Sequence, residues 1–540
     1  MHACHGGART TLERMPETSA KSFFITTPIY YVTAAPHIGS AYTTTAADVL
    51  ARWHRHRGEQ VYFLTGTDEH GQKVMRTAEK NGKSPQEFVD GLVESEWKPA
   101  WDLLDITYDR FIRTTDEDHV RQVQEFWQRL YDNGFVYEGE YAGKYCVDCE
   151  EFKSDDDLDA EGNCLIHERP AETITEKNWF FKLSEFGDWL LALYDEVPDF
   201  IAPQTSRNEI LNYVKAGLHD LSISRSSFDW GIKVPWDDSQ VLYVWIDALL
   251  NYTSAAKIYD DPAEFARIWP ATQLMSRDIL RFHSVIWPAM LMAAGVAPPR
   301  RVYVHGYLLV GGKKMAKSNA TAIHPREIVG TFGSDAYRYY FMKAIPFGSD
   351  ASFSWEHLHA VYTDELANNL GNLASRVAAM IGKYFDGELP APGGLTDADG
   401  ALADLLDRTA RTADVAISRM QIHEAVTATH DFVTAVNGYV TEQQPWKVAK
   451  DESPLAKERL ATILYTCAES LRAVAVLHSS VMPKAAARLW DSLGAAEQLG
   501  ALEDQPISSV ADWGLLKPGA KVTKGEVLFP RIEVDAEVPA

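Results

Sequence analysis

Residues 23–71 read FFITTPIYYVTAAPHIGSAYTTTAADVLARWHRHRGEQVYFLTGTDEHG. Phe23 to Thr27 is an aromatic and β-branched run, the composition of a buried strand. Pro28 through Gly39 is rich in turn residues. Ser40 to Trp53 reads as a helix, and Val61 to Thr65 as a second strand that ends in Gly66-Thr67-Asp68-Glu69-His70-Gly71. Strand, loop, helix and strand in that order make a βαβ unit and call for a parallel sheet. Polar residues at the C-terminal ends of such strands line the crevice where ligands bind.

Working outward, Gly139 to about Pro203 breaks this alternation and reads as an insertion. Strands resume at Gln240–Trp245 and Val302–Leu308. From about His357 to Ser480 the apolar residues fall at three- and four-residue spacing, as at Leu366, Leu370 and Leu373, which is a helical pattern. Pro390-Ala391-Pro392-Gly393-Gly394 is a loop between two of those helices. There is no internal repeat and no low-complexity tract.

The 540 residues exceed one compact domain and suggest three or four. Fifty-two basic residues against 76 acidic ones give a net charge of −24, which argues against a protein that coats nucleic acid nonspecifically. A local basic strip on an acidic body remains compatible with that charge. The first twenty residues are polar, without the apolar run of a signal peptide. The apolar stretch Val285–Ala297 contains Pro288 and falls short of the roughly 20 residues that span a bilayer. The expectation is a cytoplasmic protein with no membrane partner. Five cysteines are too few for a disulfide scaffold.

Three of those cysteines cluster. Cys146 and Cys149 form one x-x-spaced pair, and Cys164 with His167 forms another. Three thiolates and an imidazole at this spacing fit tetrahedral zinc. Four protein ligands close the site, so the zinc would be structural and would order an insertion that lacks a core. Gly143 and Gly162 precede the pairs and suit tight knuckle turns.

Two further segments carry chemistry. Pro36-His37-Ile38-Gly39-Ser40 lies between a strand and a helix N-terminus, where phosphate is favoured and a glycine permits close approach. Gly311-Gly312-Lys313-Lys314-Met315-Ala316-Lys317-Ser318 follows the last strand. Its lysines can neutralise charge on a transferred phosphate, although by itself the segment reads rather as a solvated basic turn. In this order on an α/β pattern, the pair resembles the HIGH and KMSKS signatures of class I aminoacyl-tRNA synthetases. The resemblance implies catalysis by positioning and by stabilising a pentavalent phosphate, with no side-chain nucleophile. It implies His37, Ser40, Lys314 and Lys317 as catalytic residues. ATP would contact Pro36, His37, Gly39, Ser40, Asp278, Lys314, Met315, Lys317 and Ser318.

Thr26–Val32, Thr65–Gly71 and Tyr243–Ala248, with the cysteine pairs and the helical C-terminal region, closely resemble bacterial methionyl-tRNA synthetases from about Lys21 to Arg531. There is no room for the large editing insertion of the Leu, Ile and Val enzymes. The resemblance implies a Rossmann-like parallel-sheet catalytic domain with a zinc-knuckle insertion, followed by an α-helical anticodon-binding bundle. The divisions expected are a flexible tail 1–20, catalytic halves 21–138 and 204–345, a connective insertion 139–203, a helical domain 346–500, and a tail 501–540 packing back.

A methionine thioether is apolar and polarizable and suits aromatic and aliphatic walls. By resemblance these are Ile29, Tyr31, Trp245, Ala248, Leu249, Tyr252, Ile279, Phe282 and His283, with Asp68 holding the substrate ammonium. Trp287 reads equally as pocket or as core. Asn372, Arg376 and Trp446 resemble the residues that read the anticodon, by base-edge hydrogen bonds and stacking. The implied activity is ligation of L-methionine to tRNA(Met), initiator and elongator, with ATP as substrate, Mg2+ accompanying ATP, and a structural Zn2+. No further C-terminal domain fits the length, which suggests a monomer. The ATP side departs from the family at Ser40, at Ser276-Arg277 and at Ala316, which points to a divergent, secondary or inhibitor-resistant copy with altered ATP kinetics.

Overall fold

The computed structural model describes residues 22–147, 151–153, 157–165, 169–310, 313–314 and 323–532. The tail 1–20, Cys149, His167, Met315, Lys317 and Ser318 lie outside them. The chain opens with strand β1 (Ser22–Tyr31), helix α1 (Ile38–His56) and strand β2 (Gln60–Asp68), the βαβ unit that the sequence announces. Strand β3 (Arg110–Arg113) and helix α2 (Glu117–Asp132) follow. Strands β4 (Val136–Cys146) and β5 (Glu172–Phe181) then pair antiparallel in a four-stranded sheet apart from the main one. The chain returns through β6 (Ile201–Ala202), the short helix α3 (Val244–Ala248), β7 (Thr272–Ser276) and β8 (Arg301–His305).

The central sheet has the order β3-β2-β1-β7-β8-β6, and every neighbouring pair is parallel. The chain reverses its direction of spread between β1 and β7, the switch point at which α/β sheets bind ligands. Side-chain alternation along β1 serves two cores. Ile25 packs with Leu50 and Trp53 of α1 on one face, while Phe24 packs with Val123 and Trp127 of α2 on the other. Helix α1 is buried almost throughout in spite of its Thr43–Thr45 run, so tertiary packing overrides a weak propensity. Gly66 is required where β2 passes β3, because a Cβ there would lie 1.9 Å from the Ile112 carbonyl oxygen.

Several expectations need correction. The first strand does not give way to a loop at Pro28 but runs on to Tyr31, and Val302–Leu308 is interrupted at Gly306-Tyr307 between the strands Arg301–His305 and Leu308–Val310. Gln240–Trp245 is not one strand: the strand runs Asp237–Leu242, lies in a separate three-stranded antiparallel sheet, and gives way to α3 at Val244. Gly143 sits within the β4 ladder opposite Ile174 rather than in a turn, whereas Gly162, at φ +82°, does take the left-handed turn conformation.

Beyond the sheet the chain is helical, with α4 (Asn372–Phe385), α5 (Asp397–Ser418), α6 (Ile422–Gln443) and α7 (Pro454–Ser479). The helix long and apolar enough to cross a membrane is α7, not the 285–297 stretch, and its apolar window is wholly buried. The fully buried Arg338 ties the two regions together. Its guanidinium donates to Asp48 Oδ2 of α1 at 2.7 Å and to the carbonyls of Leu104, Ser480 and Val481. Asp48 would be pushed up by burial, but Arg52, Arg338 and Thr107 hold its carboxyl down at about 2.

Candidate active site

The crevice over β1 and β7 is built from the loops after each strand. His37 caps α1, and its Nδ1 accepts the Gly39 N–H at 3.0 Å. That bond leaves the ring proton on Nε2, so the nitrogen directed away from the cap is the donor. Ser40 is buried, and its hydroxyl donates to the His37 carbonyl at 2.9 Å. Its proton is therefore used within the cap, which is how a serine can occupy this position without reaching outward.

Ile323 and His324, which follow the lysine segment in sequence, meet this same corner. Ile38 N–H donates to the Ile323 carbonyl at 2.9 Å, and His324 Nδ1 lies 2.9 Å from the Pro36 carbonyl oxygen. On the other side of the loop, Lys313-Lys314 pair antiparallel with Leu309-Val310. The backbone thus brings Ile323-His324 to the N-terminal end of α1, although the two are far apart in sequence. After β7, Ser276 is half-buried and Arg277 pairs with Glu209 at 3.1 Å. The exposed Asp278 meets the Tyr307 hydroxyl, and burial with that carboxylate pushes the phenol up. His305, at the end of β8, bonds Thr43 of α1 at 2.7 Å, and burial lowers its imidazole to about 4. Gly306 is forced by the backbone of Ser349, which a Cβ would meet at 2.2 Å.

Beside this corner lies an aromatic pocket. Tyr31 pairs in register with Asp68, which is 2% exposed at the end of β2. The Tyr31 ring meets Trp245 edge-on at 6.2 Å, and Trp245 stacks on Phe282 at 4.2 Å. Tyr252 OH donates to His283 Nε2 at 2.7 Å, while His283 Nδ1–H donates to the Ile279 carbonyl at 3.0 Å. Burial lowers the His283 imidazole to about 4, so its ring is neutral at physiological pH. Ile29 and Leu249 share an apolar core with these rings, Ala248 is buried, and Trp287 lies 5.9 Å from Tyr252, fully buried. The structure thus joins Tyr31, Trp245 and Phe282 through their rings, and Tyr252, His283 and Ile279 through hydrogen bonds.

In the helical region Asn372 is exposed, and Arg376 lies one turn further along α4. The Arg376 guanidinium is 5.6 Å from the Trp446 ring centroid, and Trp446 is 38% exposed. A left-handed Gln444 (φ +48°) turns the chain out of α6 and presents that ring. At the other expected site, Cys146 and Cys164 are both buried and outside any disulfide. Among the described residues no three metal-ligating side chains cluster, and Cys149 and His167 lie outside them.

Sequence reading passes over several residues that the structure places here: His305, Tyr307 and His324 around the crevice, and His119 and Asp247 behind the pocket. His305-Gly306-Tyr307 carries a signal, since it ends a strand of the parallel sheet. His119 carries none, because its partner is 128 positions away.

A parallel sheet with a switch point and a histidine capping the helix after its first strand agrees with the class that the family match gives, the class I tRNA synthetases. The family described as tRNA synthetases class I (M) matches residues 23–169 and 156–378, and the anticodon binding domain of methionyl tRNA ligase matches 389–538. The chain belongs to the methionyl-tRNA synthetase family. It is 57% identical to the methionine–tRNA ligase of Streptomyces coelicolor over 523 residues, 95% of this chain and 97% of that one. It is 46% identical to that of Caldanaerobacter subterraneus, covering 96% of this chain and 80% of that one. Mycobacterium tuberculosis methionyl-tRNA synthetase in complex with methionyl-adenylate superposes with a TM-score of 0.91 at 39% identity, covering 95% of this chain and 100% of that one.

Proposed function

We propose residue roles for methionine–tRNA ligation in this chain. The reaction has two steps. The methionine carboxylate attacks the α-phosphate of ATP to give methionyl-adenylate and pyrophosphate. The methionyl group then passes to the 3′ end of tRNA and AMP leaves. The observation that carries the assignment is the shared corner: the pocket from Tyr31 through Trp245 and Phe282 to His283 lies beside the His37 cap to which Ile323 and His324 are bonded.

Asp68 anchors the ammonium, and Ile29, Tyr31, Trp245, Ala248, Leu249, Tyr252, Ile279, Phe282 and His283 enclose the thioether. A neutral His283 already bonded to Tyr252 presents little unmet polarity to a sulfur, which is only a weak acceptor. His37 Nε2–H and the α1 N-terminus receive the triphosphate with Pro36 and Gly39, and Asp278 lies on the nucleoside side. Lys314, Met315, Lys317 and Ser318 are assigned to the phosphates, where cationic donors stabilise the charge of the transition state. Mg2+ enters with ATP. Ser40 acts through the His37 carbonyl, and together with Ser276, Arg277 and Ala316 alters ATP affinity in this copy.

Cys146, Cys149, Cys164 and His167 hold zinc in the insertion. Two buried thiols on a short-stranded segment suit a metal-ordered knuckle, and the ion supplies no catalytic step. The catalytic unit spans 21–138 and 204–345 around the insertion 139–203, with the anticodon-binding unit at 346–500 and a returning tail beyond it. Asn372, Arg376 and Trp446 read the anticodon of initiator and elongator tRNA(Met). The enzyme works as a cytoplasmic monomer.

Trp446→Ala separates the two arms. Methionine-dependent ATP–pyrophosphate exchange is expected to stay within about twofold of wild type, while tRNA charging falls by about ten- to a hundredfold, the loss of one stacked base. Equal loss in both assays would contradict the division of labour.

A further inference from the structure

Behind the pocket, three residues far apart in sequence meet out of solvent. Asp247 is fully buried. His70 Nδ1–H donates to its Oδ2 at 2.7 Å, and His119 Nε2–H donates to its Oδ1 at 2.8 Å. Burial would push this carboxyl up, but the two imidazoles outweigh it and hold it below the ordinary range. Each carboxylate oxygen thus takes one ring donor, and each ring comes from a different element.

Two of those elements carry site residues, and the third, α2, packs behind them. His70 follows Asp68 by two residues. Asp247 lies between Trp245 and Ala248 on α3, and His119 lies in the first turn of α2. Helix α3 has five residues, too few to hold its own position, so its placement rests on side-chain contacts. The other end of the bridge is firm. Glu69 is fully buried, accepts Arg113 Nε–H at 2.7 Å together with the Thr67 and Thr115 hydroxyls, and through its carbonyl accepts the Trp230 indole N–H at 2.6 Å. The Trp230 ring meets His70 edge-on at 5.3 Å.

We propose that His70, Asp247 and His119 form a bridge that fixes the spacing between the Asp68 carboxylate and the Trp245–Ala248 wall, and are positioning residues for the amino acid. The proposal rests on the methionine-site assignment above and adds to it the element that sets its span. Loss of either ring donor leaves one oxygen of a buried carboxylate unpaired, so α3 shifts to find another partner. Trp245 then leaves its contacts with Tyr31 and Phe282. The ATP corner, held by α1 and Ile323-His324, is not part of the bridge, so methionine binding and ATP binding should respond differently.

The test is methionine-dependent ATP–pyrophosphate exchange with paired substitutions. His70→Leu and His119→Leu remove the donors. His70→Asn places an amide N–H near the Nδ1 position, and His119→Gln places one near Nε2. The leucine variants are expected to raise methionine KM by about tenfold or more while ATP KM changes by less than about twofold, and the amide variants to return methionine KM to within about threefold of wild type. A merely structural role would lower thermal stability without splitting the two KM values or being rescued by the amides. Methionine KM unchanged in the leucine variants, ATP KM moving in parallel, or amide variants as impaired as leucine ones would each overturn the bridge. If the leucine variants do not fold, His119→Gln compared with the shorter His119→Asn draws the same distinction, and equal methionine KM in those two overturns the proposal. Wild-type enzyme without methionine-dependent exchange would instead defeat the site assignment itself.

Discussion

His283 is the residue on which pocket polarity turns. It is 2% exposed, with Nδ1–H donated to the Ile279 carbonyl and Nε2 accepting the Tyr252 hydroxyl. Burial lowers its pKa from the ordinary value near 6.5 to about 4. At about pH 5.5 an unperturbed imidazole would be about nine-tenths protonated, whereas this ring would stay about 97% neutral. Its folded-state pKa lies below the unfolded one, so the stabilisation is fully present above about pH 6.5 and is lost as pH falls toward 4. Each pH unit within that window costs about 1.4 kcal/mol, and the whole window about 3 kcal/mol. Ring-labelled histidine NMR checks this directly, with the His283 resonance identified by its loss in His283→Gln. The neutral chemical shift is expected to persist below about pH 5. Tyr252→Phe removes the donor that occupies Nε2 and should move the midpoint upward. A wild-type midpoint near 6.5 would refute the reasoning, because the pocket would then be wet enough to charge its histidine.

Arg338→Met removes one of the two guanidiniums paired with the buried Asp48 and leaves Arg52; a loss of about 1–3 kcal/mol is expected, and thermal melting should show a drop of roughly a few °C. The Asp48 carboxyl is held at about 2, so this pair supports stability above the ordinary carboxylate range and loses that support as pH falls from about 4 toward 2. Ser40→His and Ser276→Gly restore the family residues at the ATP corner, and ATP KM in pyrophosphate exchange should fall by several-fold, on the order of 1 kcal/mol; a normal wild-type ATP KM that neither change moves would contradict the assignment. Metal analysis should find about one zinc per chain, and Cys146→Ser should lose it and lower stability while leaving the methionine KM within about twofold.

What can be read from the sequence divides along physical lines. The β1–α1–β2 unit is legible because its aromatic and β-branched runs differ in period from the helix between them, although β1 runs on through Pro28 to Tyr31, past the boundary that the proline suggests. Helix α3 reads as strand because Tyr243-Val244-Trp245-Ile246 is a short apolar run, and such a run has no period to separate the two states. The pocket aromatics are reached through resemblance, since Tyr31, Trp245 and Phe282 come from three distant segments that only the fold brings together. The His70–Asp247–His119 bridge is only partly legible: His70 and Asp247 stand in the Thr65–Gly71 and Tyr243–Ala248 segments, but their contact spans 177 positions and the one to His119 spans 128, so no spacing announces it. Ser40 stands out as a departure, but its bond to the His37 carbonyl depends on cap geometry that no motif encodes.

Amino-acid-dependent ATP–pyrophosphate exchange, run with each of the common amino acids and followed by charging of initiator and elongator tRNA(Met), tests the central claim most directly. Methionine is expected to drive exchange well above every other amino acid, and both tRNAs to accept it. Exchange that methionine does not stimulate, or that another amino acid drives better, would contradict it.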